Sequence, residues 1–221
     1  MDWKAFSLAV GMALLAGATD VYGLAYLNNL FVSFMSGNTT MLGMALGSQD
    51  WARMHLIAAL VGGFVAGAVA GEVLAILASA RHTAAVALMV AAVLVVPLAK
   101  PDWTAGAFVI AMGALNASIT RIGAATVSLT YVTGTLVRFG QGIGRTLCGR
   151  PGDWSWVLQA PLWLSLLAGC VGATVVRHRL GGGAVWPLPV SALLLALAAF
   201  GLGPDRGHRG LPPPQPDQPP A

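Results

Sequence analysis

The sequence predicts an all-α integral membrane protein. We expect a polytopic helical bundle of about six transmembrane helices, built as two inverted three-helix repeats with broken or re-entrant segments; eight spans is the alternative. Three observations lead there. The 221 residues are 57% hydrophobic and 9% charged, against about 25% charged in soluble domains, and a soluble fold of this size cannot hide so much apolar surface in one core. The apolar residues fall into successive stretches near the ~20 residues that cross a bilayer. Two of those stretches carry polar interruptions that echo each other along the chain. The 28 glycines fit transmembrane helices that approach closely through small residues.

In chain order the apolar stretches are Ala5–Leu27, Leu30–Gly47, Met54–Ser79, Thr83–Ala99, Trp103–Thr120, Thr126–Gly144, Trp156–Val176 and Val185–Gly203. Met1–Ala18 has the outline of a signal peptide, with Lys4 before an apolar run and Ala16-Gly17-Ala18 after it. The run continues past Ala18, however, and Asp2 is unusual in an n-region, which favours an uncleaved first helix. The second stretch is interrupted by Ser36-Gly37-Asn38-Thr39-Thr40, and the sixth by Thr133-Gly134-Thr135 and Arg138. Each could span as a kinked helix or dip in and return. Irregular backbone at membrane depth is tolerated only where protein buries it or where it lines a polar cavity. Residues 1–203 read as one transmembrane domain, and the Pro-rich tail 204–221 as disordered.

The two broken stretches align without gaps at an offset of 97 (131 − 34). Phe34 meets Tyr131, Ser36 meets Thr133, Gly37 meets Gly134, Asn38 meets Thr135, Gly43 meets Gly140 and Gly47 meets Gly144. Upstream, Gly17-Ala18-Thr19-Asp20 lies over Gly113-Ala114-Leu115-Asn116. The chain therefore reads as two related halves, about 1–100 and 101–203. If each half holds three spans and a re-entrant element, the halves are inverted, as in many transporters. If the broken stretches span, the halves are parallel. With the N-terminus inside, basic residues lean weakly to the cytoplasmic side under both schemes, a bias too small to choose between them.

The formal charge of +4 comes from basic residues scattered singly at segment ends. That is the pattern of topology signals and head-group contacts, and no basic run points to nucleic acid. Cys148 and Cys170 have no metal-ligand spacing, and the four histidines lie at segment ends or in the tail. No metal or cofactor is expected. HExxH and GxSxG are absent, and one aspartate alone lies deep in an apolar segment, so an enzyme is not expected.

Gly17-Ala18-Thr19-Asp20, Phe34-Met35-Ser36-Gly37-Asn38-Thr39, Gly113–Ala117 and Tyr131-Val132-Thr133-Gly134-Thr135-Leu136 together resemble the YoaK-like family of bacterial membrane proteins, defined by domain of unknown function 1275. The resemblance covers roughly residues 5–203, with Ser36 where the family usually has Thr. It implies a multi-pass protein of the bacterial inner membrane and no established activity.

Asp20 is the sharpest candidate. It lies about 15 residues into the first apolar stretch with no basic partner at helical spacing. A carboxylate in hydrocarbon must face polar groups, water or a cation, or be protonated; capping a helix end near the interface is the alternative. Asn116 is its counterpart in the second half. Ser36, Gly37, Asn38 and Thr39, with Thr133, Gly134 and Thr135, combine glycine with small hydroxyls and amides, which suits coordination of a small polar solute. Glu72 and Arg138 are candidates for coupling or charge compensation, with interfacial placement or a Glu72–Arg81 pair as the alternative. Gly63, Gly67 and Gly71, with the pairs Gly43/Gly47 and Gly140/Gly144, read as close packing faces within the protomer or in a homodimer. The expected function is a secondary transporter or permease-like protein for a small solute or ion, with a non-transport scaffold or assembly protein as the rival.

Overall fold

A computed structural model describes residues 3–27, 29–118, 132–150, 152 and 154–203. Among them the regular structure is helical: α1 (Trp3–Tyr26), α2 (Met35–Gly47), α3 (Trp51–Ala78), α4 (His82–Ala99), α5 (Thr104–Ser118), α6 (Val132–Leu147), α7 (Gln159–Leu180) and α8 (Pro187–Gly201). Short 3₁₀ turns lie at Ser79–Arg81, Pro101–Trp103 and Trp154–Leu158. Among the described residues, three helical stretches suit a bilayer crossing by length and composition: Trp3–Tyr26, Trp51–Ala99, which folds back at its 3₁₀ turn, and Trp154–Leu180; Pro187–Gly201 is apolar but shorter. The disorder expected for 204–221 falls on residues outside those described.

Local chemistry sets the ends. The Asp50 side chain accepts from the Arg53 N–H (3.0 Å) and caps α3. Pro101 opens one 3₁₀ turn and Pro187 opens α8, positions where the missing N–H is not needed. Gly181, with φ +89°, ends α7 in a conformation that glycine adopts freely. Trp3, Trp51, Trp103, Trp154 and Trp186 all stand exposed at element ends, as interfacial tryptophans do.

The core is held by two backbone-close crossings. Between α1 and α7, a methyl at Gly17 would strike the Leu166 carbonyl, and one at Gly169 would strike that of Leu14. Between α3 and α5, Gly67 abuts the Ile110 carbonyl, Gly71 abuts Ala114 and Gly113 abuts the Phe64 carbonyl. Lipid tails are as apolar as leucine, so such helices gain from close van der Waals contact rather than from leaving water. The predicted 63/67/71 face thus packs on α5. Gly43, Gly47, Gly140 and Gly144 instead have open space around them, so within the protomer these two pairs pack against no described residue.

The contacts also give helix directions. Gly63, Gly67 and Gly71 meet Val109, Ile110 and Ala114 in rising order, so α3 and α5 run parallel, and α4 between them must run back. Gly17 O accepts from Cys170 Sγ (3.3 Å), and the Arg177 guanidinium lies 5.1 Å from the Tyr22 ring, so α1 and α7 are parallel. Tyr22 Oη donates to Ala184 O (2.8 Å) while Gly11 meets Leu195, so α8 opposes α1. Arg81 at the start of α4 sits 4.0 Å from the ring of Phe200 at the end of α8, so α4 opposes α8. Helices α1, α4 and α7 therefore point one way, and α3, α5 and α8 the other.

Candidate functional site

Helix α1 ends at Tyr26, and the chain turns through Leu27 and Asn29, the latter at φ 66°. That is a left-handed conformation which asparagine tolerates better than most residues. The backbone then comes back along α1: Leu30 and Val32 are buried, and Val32 fills the notch left by Gly23. At Phe34 it reverses again, and α2 packs on α3. Within the second apolar stretch the break is therefore residues 30–34. The expected interruption, Ser36–Thr40, is continuous helix: Thr39 Oγ1 donates to Met35 O (2.8 Å) and Thr40 Oγ1 to Ser36 O (3.1 Å). Hydroxyls that return a bond to their own helix leave it unbroken.

Two side chains pin the returning segment. The Asp20 carboxylate takes the Ser33 N–H (3.0 Å) on one oxygen and the Ser33 hydroxyl on the other. Asn38, with no exposed surface, donates from Nδ2 to Phe31 O (2.7 Å) and accepts the Phe31 N–H on Oδ1 (3.2 Å). Its amide pairs with residue 31 as a neighbouring backbone would. Buried backbone groups must be satisfied, and irregular chain supplies no ladder of its own. Gly37 leaves room for the Phe34 ring, which meets Phe31 edge-on at 5.3 Å.

Of the predicted residues, Asp20 and Asn38 thus converge on one segment. Ser36 and Thr39 are exposed on α2 and point elsewhere. Asn116 donates from Nδ2 to Met112 O (2.8 Å) on its own helix α5. Thr133 is exposed, Gly134 buried and Thr135 half-buried in the first turn of α6, which packs on α7. Residues 119–131, which join α5 to that block, lie outside the described residues, as do Arg121 and Tyr131. Asn116, Thr135 and Arg138 all have partners. Glu72 is exposed on α3, and Arg81 lies over Phe200. Ser33, the partner of Asp20, was not singled out by the sequence: one serine in Phe31-Val32-Ser33-Phe34, 13 residues from Asp20, carries no periodic signal.

A family model described as "Protein of unknown function (DUF1275)" matches residues 8–200. A "UPF0700 transmembrane protein" of Rhizobium meliloti (strain 1021) is 38% identical over 198 residues, covering 88% of this chain and 85% of that protein. No solved structure matches.

Proposed function

This chain belongs to the DUF1275 family and is an integral membrane protein; from that premise we propose that it is a multi-pass inner-membrane permease for a small polar solute, without enzymatic chemistry. The observation that carries the reading is the returning segment 29–34, bound to α1 by Asp20 and to α2 by Asn38. Non-helical backbone flanked by apolar helices is the structural signature of transporter binding sites and gates. In this reading the segment is the gate, and the Asp20–Ser33 pair is its latch and the first polar contact for the solute. The chain has no nucleotide-binding loop, so movement is secondary or passive.

The proposed plan is two inverted halves. The crossings support it: shifting Leu14 and Gly17 by 96 gives Ile110 and Gly113, and shifting Phe64 and Gly67 by 102 gives Leu166 and Gly169. The pairs α1/α5, α3/α7 and α4/α8 each run in opposite directions, as deduced above.

The test is reconstitution into liposomes with a panel of small solutes, comparing wild type with Asp20→Asn and Asn38→Ala. We expect a solute whose flux depends on both residues. If nothing moves, or both variants match wild type for a solute that does, the reading fails. One observation favours a second reading, a membrane scaffold: both carboxylate oxygens and both ends of the Asn38 amide are already engaged. A scaffold would show no flux, but residues 29–34 would still open when Asn38 is changed.

A further inference from the structure

At the end of the bundle where α1 and α7 finish side by side lies a cavity of about 310 Å³, lined by Val21, Thr174, Arg177, His178 and Gly182. It has room for about ten waters. Arg177 is its charged wall. Basic residues in the last turn of a helix commonly complement the dipole and reach out to water. That accounts for the exposed neighbour Arg179 but not for Arg177. Its Nη1 is buried without a hydrogen-bond partner, and the guanidinium is held against the rings of Tyr22 (5.1 Å) and Tyr26 (6.0 Å). Among the described residues no carboxylate pairs with it. The nearest candidate along α1, Asp20, has both oxygens on Ser33. A buried guanidinium nitrogen with no acceptor is costly, while the aromatic faces stabilise the cation and fix its plane.

We propose that this cavity is an anion-binding site which takes a phosphate-type oxyanion through Arg177, with His178 as a second donor. Guanidinium geometry matches such oxyanions, which accept two parallel N–H bonds. Gly182 faces the guanidinium across the mouth: a Cβ there would stand in ordinary contact, 3.7 Å from Arg177 Nη2, so a larger side chain would reach over it. Tyr22 Oη is tied to Ala184 O, so the 181–185 loop is anchored to the same wall. The site is separate from the Asp20 latch and does not depend on transport. A lipid phosphate at the interface and a free phosphate anion share the required chemistry.

Two probes distinguish these sources. Purified protein is examined by native mass spectrometry for retention of phosphatidylglycerol over phosphatidylcholine, and by thermal melting in inorganic phosphate against chloride at equal ionic strength. We expect wild type to respond to one of them and Arg177→Gln to lower that affinity at least tenfold, the scale of a lost charge-assisted bond. Arg177→Lys should keep part of it. Gly182→Val, which retains the arginine and narrows the mouth, should weaken it as well, and it decides the matter if Arg177→Gln does not fold. Arg179→Gln should bind as wild type. Selective lipid retention assigns the site to a head group, and a phosphate-dependent melt assigns it to the free anion. The proposal is overturned if neither probe acts, if Arg177→Gln or a folded Gly182→Val equals wild type, or if Arg179→Gln loses as much as Arg177→Gln.

Discussion

Replacing Asn38 by alanine removes both bonds that hold residue 31, 2.7 Å to its carbonyl and 3.2 Å from its N–H. Leaving a buried donor or acceptor unmet costs about 1–3 kcal/mol each. Phe31 is half-buried, so water recovers part of that, and we expect about 2–4 kcal/mol for the pair. The loss is local, because the α1/α7 and α3/α5 crossings do not involve Asn38. It should therefore appear as opening of residues 29–34 rather than as unfolding of the bundle. At 1.4 kcal/mol per tenfold, amide exchange there should rise about 30-fold or more. Hydrogen exchange on protein in nanodiscs reads this directly, with Thr39→Ala, an exposed hydroxyl on the same helix, as the control. If exchange in 29–34 rises less than about threefold, or if α3 and α5 loosen to the same degree, the clamp is not what holds the segment.

Three further outcomes follow from the same contacts. Gly169→Leu sets a side chain against the Leu14 carbonyl and should lower the melting temperature sharply, whereas Gly43→Leu, with open space around it, should leave it nearly unchanged; equal effects would contradict the crossing. Tyr22→Phe removes the 2.8 Å bond to Ala184 O and should cost about 0.5–1.5 kcal/mol, read as a small downward shift in a thermal melt with no change in oligomeric state. In a background without native cysteines, Gln49→Cys, Asp102→Cys and Gly183→Cys should label from one face of the membrane, and Ala80→Cys and Ser155→Cys from the other. An eight-span parallel arrangement would put Gln49 and Gly183 on opposite faces, so that result would refute the inverted plan.

The helices were largely legible because hydrocarbon imposes a length and a composition on each of them. Ala5–Leu27 became Trp3–Tyr26 and Thr83–Ala99 became His82–Ala99, shifts of a residue or two. The position of the break was not legible. Ser36–Thr40 looks incompatible with an apolar helix, yet its threonines bond back to α2 and cost that helix little. The true break, 30–34, is mostly apolar and is irregular because Gly23, Asp20 and Asn38 give it somewhere to dock. Such partners are set by tertiary contact. The same holds for Arg177. In the sequence it is one more basic residue at a segment end, and only the arrival of Tyr22 and Tyr26 from α1 turns it into a half-buried cation with one nitrogen sealed from solvent. Glycine spacing foretold the α3 face but equally flagged Gly43/Gly47 and Gly140/Gly144, which meet no described residue within the protomer, since spacing says where helices can approach and not which partner fills the notch.

The two glycine crossings also govern how the protein is made. Helix α1 finds its main neighbour in α7, so the chain between Gly17 and Leu166 must be synthesised before that contact can form. At about 5–20 residues per second, this takes roughly 7–30 s. Throughout that interval the nascent first helix has its glycine notch facing lipid or the insertion machinery, with the Asp20–Ser33 latch as its own local stay. The two ends of the polypeptide are thus buckled together last, and a ribosome that stalls between α5 and α7 leaves an inserted half whose principal seam is unclosed.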